Sequence, residues 1–198
     1  MGMSSHEELR SIALSEFARA GYGSTSLQQI AELAGLSKSS VLYHFSSKEA
    51  LLDAAISPAV ERMDAIVAGL EGRSLSQETR SSFVVEFVDF LLEHRSEVHM
   101  FINQARALED VPVVERANGV VIRMATYFRT ALDTAEHRLR FGIALGGAAY
   151  VLATQEDLGE ALAPLDETRA ALVTILNELL NRADGSIPEP VLTDQESI

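Results

Sequence analysis

The sequence predicts an all-α protein: a small three-helix unit at the N-terminus and a larger helical region after it. Three observations carry that expectation. Apolar residues recur at helical spacing along the chain and nowhere alternate as in a strand. Ser or Thr followed three residues later by Glu or Gln marks several helix starts. Proline is scarce in the body of the chain and common only near its end.

The first helix starts at Ser5, with Glu8 completing a capping box, and buries Leu9, Ile12, Ala13, Phe17 and Ala20. Gly21 and Gly23 stop it. Thr25 offers the next N-cap, paired with Gln28, and Leu27, Ile30, Ala31 and Ala34 form an apolar stripe. After Gly35, Ser37 caps a third short helix whose inward residues are Val41, Leu42 and Phe45. Ser46 and Glu49 open the fourth. Three short helices with a glycine turn between the second and third have helix-turn-helix spacing. So small a unit buries only a thin core and is expected to lean on the larger helical region.

Pro58 lies inside the fourth helix, where a missing N–H and a crowded carbonyl predict a kink or break. Residues 71–77 read as a loop. Phe83, Phe87, Phe90 and Leu91 then form an aromatic stripe, and Val98, Phe101, Ile102, Ala105 and Leu108 another. Asp110-Val111-Pro112 reads as a turn with Pro112 opening a helix through Val114, Val121, Met124, Phe128 and Leu132. Two more helices are expected, over 136–154 and 165–183. The expected organisation is residues 1–52, 53–184, and a Pro-, Ser- and acid-rich tail, 185–198, read as disordered.

Composition excludes some classes. The chain has 198 residues, no cysteine and a formal charge of −13. Disulfides and thiolate chemistry are out, and a reducing, cytoplasmic setting fits. The polar start lacks the apolar segment of a secretion signal. The longest near-apolar run, 141–153, falls short of the about 20 residues that span a bilayer. Residues 1–56 hold four basic and six acidic groups, so any nucleic-acid argument rests on where the few cations sit.

Their placement is informative. Lys38, Ser39 and Ser40 fall in the exposed first turn after Ser37, with the reach to address base edges in a major groove. Tyr43 and His44 come near that helix's end, in range of phosphate oxygens. Lys48 sits in the first turn of the next helix, against the helix dipole. Gripping a phosphate together with free backbone N–H groups would explain that choice. Thr25 and Ser26 would clasp a second phosphate. The same three helices could instead form a plain structural cap, with Tyr43 half-buried.

The segment ALSEFARAGYGSTSLQQIAELAGLSKSSVLYHFSSKEALLDAAI resembles the DNA-binding domain of the tetracycline-repressor (TetR) family of bacterial transcription regulators. The shared features are Gly21-Tyr22, Thr25-Ser26, Ile30-Ala31, Ala34-Gly35, Ser37-Lys38, Tyr43-His44-Phe45, Lys48-Glu49 and Leu51-Leu52. The resemblance covers about a quarter of the chain. It implies a helix-turn-helix DNA-binding domain, a larger ligand-binding and dimerisation domain, and a homodimer on an inverted-repeat operator in double-stranded DNA. It also implies repression relieved by a small apolar or amphipathic effector. Thr25, Tyr43, His44 and Lys48 match phosphate-contacting positions. Lys38, Ser39, Ser40 and Leu42 match base-reading ones, though many relatives carry Gly or Thr in that early turn. On this reading Lys48→Ala weakens binding to every sequence and flattens its salt dependence.

Phe83, Phe87, Met100, Phe101, Met124, Tyr127, Phe128 and Tyr150 are candidate pocket residues, with Asn103, Gln104, Arg106 and His99 as polar anchors. A Phe/Met stripe is also what plain core looks like. Gly142, Gly146 and Ala149, with Leu172, Leu176 and Leu179, are the expected dimer interface: small residues allow close helix approach, and the leucines supply an apolar face. A kink at Pro58 would transmit pocket changes to the half-site spacing. No cofactor, metal or membrane partner is expected. His94 and His99, five apart, do not share a helical face as a zinc pair would, and no Gly-rich phosphate loop, Ser-His-Asp cue or Cys nucleophile is present, so catalysis is not expected. The competing class is a helical adaptor that binds a protein partner without reading DNA.

Overall fold

A computed structural model describes residues 5–154 and 163–181, and these described residues form nine α-helices. They are α1 (Ser5–Ala20), α2 (Leu27–Leu33), α3 (Lys38–His44), α4 (Lys48–Ala68), α5 (Gln77–Glu93), α6 (Arg95–Gln104), α7 (Pro112–Ala131), α8 (Ala135–Thr154) and α9 (Leu165–Asn181). A short 3₁₀ turn, Ala105–Leu108, links α6 to α7. No strand occurs among the described residues. The tail expected over 185–198 lies outside them, as does the side chain of Arg106.

Local chemistry sets the helix ends. Gly21 ends α1 at φ 88°, a left-handed conformation that suits glycine. Gly35, at φ 67°, ends α2. There the Leu36 N–H reaches the Ala31 carbonyl (2.8 Å) and the Gly35 N–H that of Glu32 (3.1 Å). Two expected caps move by one residue. Ser26, not Thr25, caps α2, with Gln29 closing a reciprocal box. Ser47, not Ser46, caps α4. In both places the sequence offers two adjacent hydroxyls, and spacing alone does not choose between them.

Of the kink or break expected at Pro58, the break does not occur. α4 runs unbroken through it. What changes at Pro58 is the core that α4 serves. Leu51, Leu52, Ala55 and Ile56 join a cluster with Leu9, Ala13, Phe17, Ile30, Ala31, Val41 and Phe45. From Ala59 onward, Met63, Ile66 and Val67 join a second cluster built from α5, α7, α8 and α9. Arg116 of α7 clamps the junction, donating to Ser57 Oγ (2.7 Å) and Asp53 Oδ1 (3.2 Å). Arg123 binds Asp64 and Glu71 further along.

The first cluster is not closed by its own helices. Met100 of α6, Leu108 of the 3₁₀ turn, and Val113 and Val114 of α7 complete it. The expectation that the small unit leans on the rest of the chain thus has a concrete form. In the second cluster an aromatic ladder runs from Phe87 through Phe83 and Phe128 to Phe141, with centroid separations of 5.6, 5.2 and 4.5 Å. α9 is held on it by buried Leu176 and Leu180, by Arg80 donating to the Leu180 carbonyl (2.8 Å), and by Arg169 gripping Asp89.

Candidate nucleic-acid interface and ligand cavity

α3 is short and anchored by two apolar residues, Val41 and Phe45, both buried. Everything else on it faces outward: Lys38, Ser39, Leu42, Tyr43 and His44 are exposed, and Ser40 is half-buried. Tyr43 is 87% exposed, which excludes the half-buried reading of that ring. Ser37 caps the helix by accepting from the Ser40 N–H (3.1 Å), and its hydroxyl lies 2.8 Å from those of Ser39 and Ser40. Three hydroxyls therefore cluster at the start of α3. Ser39 and Ser40, with Leu36, Tyr43, His44 and Ser5, border an open cleft beside the helix. The His44 and Tyr43 rings meet edge-on at 5.5 Å, and His6 of α1 packs on Phe45 at 4.4 Å.

Two candidate phosphate-contacting residues have other occupations. Thr25 is buried, and its hydroxyl donates to the Gly21 carbonyl (2.9 Å). Ser26 is the exposed member of that pair. Lys48 points back into the fold: Nζ donates to the carbonyls of Tyr22 (2.8 Å) and Thr25 (2.9 Å) and stands 4.2 Å above the Tyr22 ring. Burial holds its pKa below the ordinary lysine value. Two of its three protons serve the 22–25 turn, leaving one for a phosphate. Burial, with Glu49 nearby, pushes the Tyr22 phenol up.

The same turn is held from the other side by a residue expected in the pocket. Gln104 of α6 accepts from the Tyr22 N–H (2.8 Å) and donates to the Phe17 carbonyl (2.6 Å). It bridges α6 and the end of α1 and lines neither cavity described below. Its pairing spans more than eighty residues, so no local pattern announces it.

The second cluster leaves real space. A cavity of about 230 Å³ lies between α4, α5, α6, α7 and α8. Phe87, Phe101 and Met124, of the expected pocket residues, line it. Among its walls only Glu97 is ionisable, and the rest are apolar. Glu97 lies 3.3 Å from His94 Nδ1. The other expected pocket residues are elsewhere. Phe83 is interior to the aromatic ladder, and Met100 belongs to the first cluster. Tyr127 donates its hydroxyl to the Arg73 carbonyl (3.2 Å), and Tyr150 faces outward. Asn103 lies exposed beside His99, whose Nδ1–H donates to the Ala153 carbonyl (2.6 Å) and so ties α6 to α8. Phe128 and Met124 border a second cavity, about 270 Å³, between α7 and α8.

The expected dimer residues also divide. Leu176 is fully used inside the subunit, and Leu172 and Leu179 pack partly against the same core. Gly146 and Ala149 line the first cavity. A Cβ added at Gly142 or Gly146 would meet nothing within 4 Å. No described helix of the subunit approaches these glycines closely. The exposed apolar residues of α8 are Leu139, Ile143, Tyr150 and Val151, and of these Leu139 and Tyr150 share a helical face with Gly146.

The fold and the α3 face define the class: an all-helical protein whose N-terminal helix-turn-helix unit presents a polar, outward-facing helix. Residues 9–55 match the family model of bacterial regulatory proteins of the tetR family. Over 41 residues, 21% of this chain, it is 58% identical to the HTH-type transcriptional regulator RutR of Escherichia coli K12; that match spans 19% of the relative's length. Over 120 residues it is 28% identical to the HTH-type transcriptional regulator YerO of Bacillus subtilis, covering 59% of this chain and 41% of that one. The fold is similar to that of the ketosteroid transcriptional regulator KstR2 of Mycobacterium tuberculosis. The TM-score is 0.68 at 17% identity, covering 91% of this chain and 95% of that one. A TetR-like regulator from Rhodococcus sp. RHA1 gives 0.63 at 22% identity, over 90% and 94% of the two chains. No described helix is long and apolar enough to cross a membrane.

Proposed function

We propose that the protein is a cytoplasmic, homodimeric DNA-binding transcription regulator, not an enzyme, acting as a repressor that a small apolar or amphipathic effector releases from an inverted-repeat operator. The observation that carries this reading is the α3 face. Two buried residues hold the helix, and every other side chain on it is turned outward or only half-covered, in a domain matched to regulators. Lys38, Ser39, Ser40 and Leu42 address base edges. Tyr43, His44, Ser26 and the remaining proton of Lys48 contact phosphates. Residues 1–52 make the DNA contact, while 53–184 bind effector and partner subunit.

Dimerisation uses the exposed stripe of α8, with Ile175 of α9 beside it. It explains why large apolar side chains stand in solvent on one face. Effector release works through α6. That helix offers Glu97, Val98 and Phe101 to the cavity, and Met100, Phe101 and Gln104 to the DNA-binding unit. A ligand that displaces α6 pulls on the Tyr22 turn, and through Lys48 on the start of α4.

The test is selection of binding sites from a random duplex library by the purified protein at two salt concentrations. The expected result is an enriched inverted repeat whose affinity falls steeply with salt. No enrichment at low salt, with a folded dimer present, would sink the regulator and put a protein-binding adaptor in its place.

A further inference from the structure

We propose that the two cavities form one continuous site for an amphiphile with a carboxylate or phosphate head, held at Arg129 and Arg138, its apolar tail running past Gly146 toward α6. This deepens the effector reading above and rests on it.

Continuity comes first. The cavities of about 230 and 270 Å³ share three walls: Met124, Leu145 and Gly146. Gly142 and Gly146 lie one turn apart on α8. Glycine inside a helix costs roughly 1 kcal/mol relative to alanine. Neither has a positive φ, and neither is crowded, since an added Cβ would meet nothing within 4 Å. Backbone geometry and packing in the subunit therefore do not call for glycine at either place. What glycine leaves there is open space beside both cavities.

Polarity comes second. The end against α6 carries one ionisable group, the carboxylate of Glu97. The end between α7 and α8 carries two guanidinium groups, Arg129 and Arg138. Arg138 donates through Nη1 to the Leu132 carbonyl (2.9 Å) and, more distantly, to that of Asp133, which leaves its other donors available. Arg129 is exposed at the rim and makes no hydrogen bond or ion pair among the described residues. The fork of an arginine suits a carboxylate or phosphate in two-point contact, and more strongly beside an apolar wall than in open water. An acidic head at the opposite end would meet Glu97 and be repelled.

The experiment is calorimetric titration of the full chain with decanoate, decyl phosphate, decanol and decylamine, each below its micelle concentration. Decanoate or decyl phosphate should bind at least about tenfold more tightly than decanol, and the two compared tell which head is preferred. Arg129→Gln should remove about that factor for the acids and leave decanol unchanged. Gly146→Leu should abolish binding of all four while thermal unfolding stays level or rises, because the leucine grows into the gap. Decylamine binding most tightly, with loss in Glu97→Gln, would overturn the assigned polarity and keep the effector pocket. Equal binding of acid and alcohol would overturn the role of the arginines. Full affinity in a folded Gly146→Leu variant would overturn the continuity. Binding of none of the four would take down the effector reading as well.

Discussion

The two hydrophobic clusters are built from similar residues and do opposite things. In the one behind α3, Leu9, Ala13, Phe17, Ile30, Ala31, Val41, Leu51 and Leu52 are wholly excluded from solvent. The one behind α5 holds five of the chain's phenylalanines yet encloses a cavity of about 230 Å³. A core that must aim a seven-residue helix gains from having no slack, since α3 has only Val41 and Phe45 to hold it. On the proposed function the second core admits a small molecule and so forgoes contacts, and each void costs the dispersion its lining atoms lose. The difference shows that apolar content says how much core a chain can form. It does not say whether that core is solid.

The sharpest way to break the comparison is to truncate one aromatic in each. Phe17→Ala should cost about 3–5 kcal/mol and melt the DNA-binding unit. Phe87 already borders empty space, so Phe87→Ala should cost clearly less. Equal losses in urea unfolding would mean that the two cores are packed alike.

Next in size is Lys48→Met. It keeps the apolar stem over Tyr22 and strips two charge-assisted hydrogen bonds from the 22–25 turn, for about 1.5–3 kcal/mol. The salt dependence of DNA binding separates this from a phosphate contact. A mainly structural lysine lowers stability and leaves the slope nearly intact, whereas a phosphate contact flattens it by about one unit with little effect on stability.

Gln104→Ala should have a smaller effect on stability, about 1–2 kcal/mol for two neutral hydrogen bonds. Its diagnostic is functional. DNA affinity without effector should change little, while the effector concentration needed for release should rise severalfold. Unaltered response would remove Gln104 from the coupling route.

Smallest of all is the acid response of α9. The hydrogen bond and charge of Arg169 hold Asp89 below the ordinary carboxylate range. Its contribution is therefore complete above the usual aspartate pKa of about 3.9 and lost as pH falls through the lowered value. Asp89→Asn should shallow the stability loss below that point and change little near neutrality. An acid limb identical to that of the parent would discount the pair.

Much of this was legible in the sequence, and the exceptions have a common cause. Helix number, the Gly21 and Gly35 stops, the Ser37 cap, the start at Pro112 and the exposed α3 face all arise from interactions within a few residues. The structural bonds of Gln104 and Lys48 were not legible, because their partners at Tyr22 lie 82 and 26 residues away. Residue type grouped Met100 with Phe101, although Met100 is interior to the first cluster while Phe101 packs against that cluster and also lines the cavity. Gly142 and Gly146 advertised close approach, and within the subunit nothing stands within 4 Å of a Cβ at either. Pro58 signalled a break and instead sits where α4 changes cores.

That shared helix has an evolutionary consequence. Grafting residues 1–52 onto the effector half of a relative would cut through a common interior, because Ala55, Ile56, Met100, Leu108, Val113 and Val114 belong to the same cluster as Phe17. A chimera that keeps the DNA specificity of this chain would have to carry those six side chains with it, or match them in shape. Recombination between such proteins should therefore be fertile only among partners that agree at this hidden seam, however much they differ on α3 or around the ligand.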